Sequence, residues 1–222
     1  MHWSFSSLDQ FNTCAKMYYL QRVSKQIVSA ATEATVEGER VHLALELRVR
    51  DGKPLPKDLS RLENLCQTLA ASNGEVYTEF EMALNRDLKP VSMDAPGAWC
   101  RGIADVLIVG ENNLVGLDWK TGKPKPPSWQ LELMAAMAFA HFPGKVKCKT
   151  GYVWLKTNEV VPQTFLAADL PKIWEGIISR VVRLEQAYEK DKWTPRPSGL
   201  CAGWCGAGRN LCEFWSPKRS RR

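Results

Sequence analysis

Residues 75–120 constrain the fold more than any other part of the chain. There the hydrophobic period changes from helical to alternating, and "EVYTEFEMAL", "AWCRGIADVLIVG" and "NLVGLDWKT" follow one another as three strands. Glu111, Asn112 and Asn113 are read as a tight turn between the last two. Side chains alternate faces along a strand, so Asp118 and Lys120 share one face while Trp119 points to the other. If the turn closes a hairpin, Asp105 in "GIADVLIV" lies on the neighbouring strand and converges on Asp118.

The rest of the pattern surrounds that core with helices. A first helix, capped by Ser6 or Ser7, carries Leu8, Phe11, Ala15 and Tyr18 or Tyr19 on neighbouring turns. A second runs through "EATVEGERVHLALELRVR" to Asp51-Gly52, and a third, "KDLSRLENLCQTLAAS", ends at Asn73-Gly74. After the proline-rich loop "GKPKPPS" come a helix, "WQLELMAAMAFAHF", strands around "KTGYVWLK" and "VVPQTFLA", and a long helix from about 170 to 190. The expected architecture is α/β, a central sheet of mixed strand directions flanked by helices. It forms one domain: a helical part at 1–74, the sheet core at 75–166, the long helix at 167–193 and an irregular Cys-rich segment with a basic tail at 194–222.

Composition narrows the setting. At 222 residues with 45% hydrophobic content the chain is long and apolar enough for a real core. The net charge of +6 suits a polyanionic partner, and much of the excess lies in "SPKRSRR", expected to be a solvated tail that adds phosphate affinity. "MHWSFSSLDQFNTC" has no signal-peptide pattern, and "LELMAAMAFAHF" is too short to span a bilayer, so a soluble cytoplasmic protein with no membrane partner is expected. Seven cysteines in such a chain read as free thiols or metal ligands rather than disulfides.

Two carboxylates and an imidazole suit a divalent cation. His42 and Glu46 in "GERVHLALE" are one helical turn apart on one face. Lys120 beside such a site supplies what phosphodiester hydrolysis needs, a cation to orient the attacking water and offset charge on phosphorus. The set "SFSSLDQFNTC", "GERVHLALE", "GIADVLIV", "LDWKTGK" and "WQLEL" resembles, in order, the RecB-type branch of the PD-(D/E)XK nuclease superfamily, whose relatives include CRISPR-associated and phage nucleases. The resemblance implies a restriction-endonuclease-like core. It also implies Mg²⁺ or Mn²⁺ held by His42, Asp105, Asp118 and the Trp119 carbonyl, with Lys120 as catalytic lysine and Gln130 as the family's glutamine. Glu46 matches a commonly acidic place. The tyrosine that usually follows the glutamine by four residues is Met134 here, so its hydrogen bond is expected to be missing. Glu79 and Glu81 alternate with apolar residues and read as the wet face of a half-buried strand, placed near the site but not among its catalytic residues.

Cys201, Cys205 and Cys212 crowd a Gly-rich loop with little apolar content, which suggests a metal centre that orders it. The same resemblance makes Cys14 the fourth ligand of a [4Fe-4S] cluster, a structural clasp. Each gap is one residue longer than in the commonest form of that site, and a four-cysteine Zn²⁺ site is the alternative. Cys66, Cys100 and Cys148 read as packed thiols. The function expected is a DNA exonuclease acting on single- or double-stranded ends, with recombination or CRISPR-adaptation proteins as partners. The competing readings are a DNA-binding adaptor of the same fold and an RNA-directed nuclease; the intact Asp105, Asp118 and Lys120 argue against the adaptor. Trp99, Trp119, Trp129 and Trp154 are candidates for stacking on bases, and Lys123 and Lys125 for phosphate contacts.

Overall fold

The computed structural model describes residues 1–28, 31–202 and 204–217. The basic tail expected after Pro217 lies outside the described residues. The chain divides into two compact units, one of Met1–Trp3 with Thr32–Glu175 and one of Ser4–Ala31 with Gly176–Arg222.

The first unit is built on a six-stranded sheet. Its strands are β1 (Glu75–Leu84), β2 (Pro90–Val91), β3 (Cys100–Val109), β4 (Asn113–Lys120), β5 (Lys147–Trp154) and β6 (Glu159–Leu166). They lie in the order β2-β1-β3-β4-β5-β6, with β4 and β5 parallel and every other pair antiparallel. The predicted turn at 111–113 does close β3 and β4 into a hairpin. Parallel neighbours cannot be joined by a tight turn. The crossover between β4 and β5 is a helix, Trp129–His141, whose Ser128 cap accepts a hydrogen bond from the Gln130 N–H.

Alternation along the strands separates the two faces of the sheet. Trp119 and Val153 face the helices Glu33–Asp51 and Glu63–Ala70, which contribute Val41, Leu45, Val49, Cys66 and Leu69 to one core cluster. Tyr152 and Trp154 point the other way and pack with Leu131 of the crossover helix. That helix comes so close to the sheet that a Cβ on Gly116 would lie 2.7 Å from Met134 Sδ. A helix of the Glu33–Asp51 length needs firm ends. Thr32 caps its start, and Gly52, at φ 69°, takes the left-handed conformation that stops it. The third expected helix is shorter than its pattern suggests. Lys57–Leu62 is a 3₁₀ turn, whose period of three points Leu59 and Leu62 together into the core.

The second unit contains helices Phe5–Thr13 and Ala15–Tyr18, a π-type turn at Tyr19–Val23, and the long helix Leu170–Glu189 from Gly176 onward. Ile177, Val181, Leu184 and Ala187 form the buried stripe of that helix. Trp193 packs against Tyr18, Tyr19, Tyr188 and Phe11. Among its described residues the Cys-rich segment holds single-turn helices, Gly199–Cys201 and Gly208–Leu211. Among the described residues the α-helices, in chain order, are α1 (Phe5–Thr13), α2 (Ala15–Tyr18), α3 (Glu33–Asp51), α4 (Glu63–Ala70), α5 (Trp129–His141), α6 (Leu170–Glu189) and α7 (Gly208–Leu211). Among the described residues no helix is long and apolar enough to cross a membrane.

Candidate active site

The hairpin ladder of β3 and β4 extends only from Val109↔Leu114 to Val106↔Leu117. Asp105 and Asp118 come immediately beyond it, where the two strands part. The Trp119 N–H donates to Asp105 Oδ2 across this fork. His42, on α3, brings Nδ1 to 3.3 Å from Asp105 Oδ1. Burial by itself would lower the His42 pKa, but the bond to Asp105 and the nearby charges of Asp118 and Glu79 raise it above its ordinary value. Glu46, one turn further on, is paired with Arg50. It lines, with His42, Glu79 and Thr121, an open cleft of about 510 Å³.

Glu79, read from the sequence as the wet face of a strand near the site, enters the site itself from β1. The β1–β3 ladder places Thr78 opposite Val106 and Phe80 opposite Ala104, and it breaks at the intervening Glu79 and Asp105. Glu79 there has φ 48°, in the left-handed region that a non-glycine residue rarely takes. Ligand atoms of His42, Glu79 and Asp105 lie within 4.8 Å of one another. Burial, and then the charge of Asp105, push the Glu79 carboxyl up to about 7. Nothing in the local alternation signals this, because the register against β3 and the inverted φ bring the carboxylate in.

Asp118 is 8% exposed and engaged from the other side. Its Oδ1 accepts from Gln130 Nε2 at 2.6 Å, in the first turn of α5. Lys120 Nζ lies 2.6 Å from Oδ2 in an ion pair. Burial raises the Asp118 pKa, with Asp105 adding to it and Lys120 and His42 opposing. Gln130 Oε1 accepts from Lys120 Nζ at 3.3 Å and from the Tyr152 hydroxyl at 3.1 Å. The place four residues after Gln130 remains without a tyrosine, but Gln130 is not without a hydroxyl partner. Met134 is packed against Gly116, and Tyr152, opposite Asp118 in the β4–β5 register, supplies the hydroxyl instead. The Tyr152 ring also lies 4.9 Å from Lys120 Nζ, and its hydroxyl is 2.6 Å from Ser128 Oγ.

Of the tryptophans considered for stacking, Trp99, Trp119 and Trp154 are core residues and Trp129 is half-buried. Lys123 and Lys125 are exposed on the loop between β4 and α5. Cys66, Cys100 and Cys148 are buried free thiols. Burial pushes the Cys66 pKa up to about 11 and that of Cys148 up to about 12. Cys14, Cys201, Cys205 and Cys212, all in the second unit, line one small pocket with Met17, Leu20 and Phe214. Two backbone N–H groups reach this sulfur set, Arg196 to Cys14 Sγ at 3.5 Å and Ser198 to Cys201 Sγ at 3.4 Å.

An acid and a lysine on one strand end, an acid on its hairpin partner and a histidine on a facing helix form a recurrent arrangement. A family model, the PD-(D/E)XK nuclease superfamily, matches residues 2–213. The chain belongs to the PD-(D/E)XK nuclease superfamily. The nuclease has the restriction-endonuclease-like fold of that superfamily, and it acts as a phosphodiester hydrolase. Among solved structures it is similar to a Eubacterium rectale protein named "Putative exonuclease", with a TM-score of 0.55 at 10% identity over all of this chain and 91% of that one. It is also similar to the protein SSO0001, with a TM-score of 0.48 at 16% identity over 95% and 85% of the two chains. No curated protein matches the nuclease in sequence.

Proposed function

We propose that this nuclease is a metal-dependent DNA exonuclease of the RecB-type branch, acting in bacterial or phage DNA processing. The observation that carries the reading is the convergence of His42, Asp105, Asp118, Lys120 and Gln130, from α3, β3, β4 and α5, at the fork of one hairpin. Imidazole and carboxylate donors fit Mg²⁺ or Mn²⁺, and the buried Asp118 Oδ2, paired here with Lys120, is an oxygen of the type such a cation takes up. His42, Asp105, Asp118 and the Trp119 carbonyl would hold it, with Glu79 a further donor and Glu46 at the rim. When bound, the cation polarises the phosphodiester and stabilises the leaving oxygen.

The chain's own groups do the rest. Lys120, held between Asp118 and Gln130 over the Tyr152 ring, orients the attacking water and offsets charge as it gathers on phosphorus. Gln130 keeps the spacing of carboxylate and ammonium by bonding to both. The cysteine pocket serves a structural purpose. Cys14, Cys201, Cys205 and Cys212 would hold a [4Fe-4S] cluster, or Zn²⁺ as the alternative, and the four-thiol donor set around one pocket fits either.

The test is digestion of end-labelled linear DNA with Mn²⁺ or Mg²⁺, alongside closed circular DNA. Wild type should shorten linear DNA from its ends and spare circles, and Lys120→Ala should lower the rate by about a hundredfold or more. Equal rates in the two proteins would remove Lys120 from the chemistry, and cleavage of circles would overturn the exonuclease reading.

A further inference from the structure

We infer that a groove in the second unit binds the phosphodiester backbone of a DNA strand. The groove, about 390 Å³, is lined by Arg183 of α6, Lys190, Lys192 and Arg196 of the segment that follows it, and Asn12 and Phe11 of α1. No carboxylate lines it. Arg183 lies on α6 and Lys190 just beyond its end, seven residues on, with the small Ala187 of the helix between them in the same groove. Among the described residues none of the four cations is paired with an acid.

The two guanidinium groups converge on a neutral residue. Arg183 Nη2 donates to Asn12 Oδ1 at 3.0 Å, and Arg196 Nη1 donates to the Asn12 carbonyl at 2.5 Å. Like charges drawn together without a counterion need an anion from outside, and one bond each leaves most of their N–H groups free. A phosphate matches that planar fork geometry in two-bond fashion. A nucleic-acid strand, and not an isolated anion, accounts for four cations lining one groove. Phe11 and the prolines beside Arg196 add flat apolar surface to the same groove.

The inference rests on the DNA-nuclease reading, and the test separates the two. Binding of a labelled single-stranded oligonucleotide to the full chain is measured without divalent metal across a salt series, with a duplex and inorganic phosphate as comparison ligands. Arg183→Ala combined with Lys190→Ala should weaken binding about tenfold and reduce the salt slope by about one to two. Asn12→Asp, which gives both arginines an internal carboxylate, should weaken DNA binding similarly while leaving the thermal midpoint unchanged or higher. A duplex bound in the same groove should show the same losses. Unaltered affinity and salt slope in both variants would overturn the inference, as would displacement of the oligonucleotide by inorganic phosphate at equal phosphate concentration. If Lys120→Ala loses cleavage but Asn12→Asp binds like wild type, the groove alone is wrong. A wild type that neither binds nor cuts DNA removes the reading beneath it.

Discussion

Tyr152 makes two kinds of contact at once, a hydroxyl bond to Gln130 and a ring face beside the Lys120 ammonium. Tyr152→Phe keeps the ring and removes the bond, leaving Gln130 Oε1 with Lys120 as its donor. A neutral hydrogen bond of this kind contributes about 1 kcal/mol. The expected result is a fall in kcat of roughly fivefold to tenfold with KM little changed, because on the proposed mechanism the bond positions Lys120 rather than the substrate. Unchanged kcat would mean that Lys120 is held well enough by Asp118 alone. Tyr152→Leu should lose more, since it also removes the ring. Motif reading places a tyrosine four residues after Gln130. The molecule instead takes one from the neighbouring parallel strand, which no spacing along the chain records.

The element that sets the site's dimensions is α5. It must cross from β4 to β5 because those strands are parallel, and its first turn therefore delivers Gln130 to the end of the strand that carries Asp118 and Lys120. Gly116 lets this helix lie close. In Gly116→Ala the new Cβ would meet Met134 Sδ at 2.7 Å in a packed layer that also contains Thr150. Overpacking of this sort costs about 1–3 kcal/mol. The denaturation midpoint should drop accordingly, with partial recovery when Met134→Ala is added; an unshifted midpoint in the single variant would show that Met134 swings clear freely. Both neighbours of this contact were legible as strand and helix from their periods. Their separation was not, because a pattern gives an element's type and leaves open how near its neighbour packs.

At the scale of the whole molecule, the second unit is assembled from residues 4–31 and 176–222, far apart in sequence. Bringing such segments together carries a large loop-closure entropy, which a ligand-bound cross-link offsets by several kcal/mol. Four thiols around one pocket are placed to do this. On anaerobic purification the protein should be brown and carry iron. Cys14→Ser should lower the metal content and the thermal midpoint of this unit, whereas unchanged stoichiometry would remove Cys14 from the ligand set. A colourless zinc protein would replace the cluster assignment with the zinc alternative.

The sequence by itself determined the strand hairpin at 75–120, the pairing of Asp118 with Lys120 on one face and the flanking helices, because period and turn chemistry are local properties of the chain. It also brought His42, Asp105 and Gln130 into consideration, through their order along a familiar set of motifs. Only the tertiary structure decided that Glu79 turns inward at φ 48°, that Tyr152 stands where Met134 does not, and that Asn12 gathers two arginines into an acid-free groove. Each of these depends on strand register, on the sign of one backbone angle or on the meeting of distant segments, and none leaves a periodic trace in the sequence.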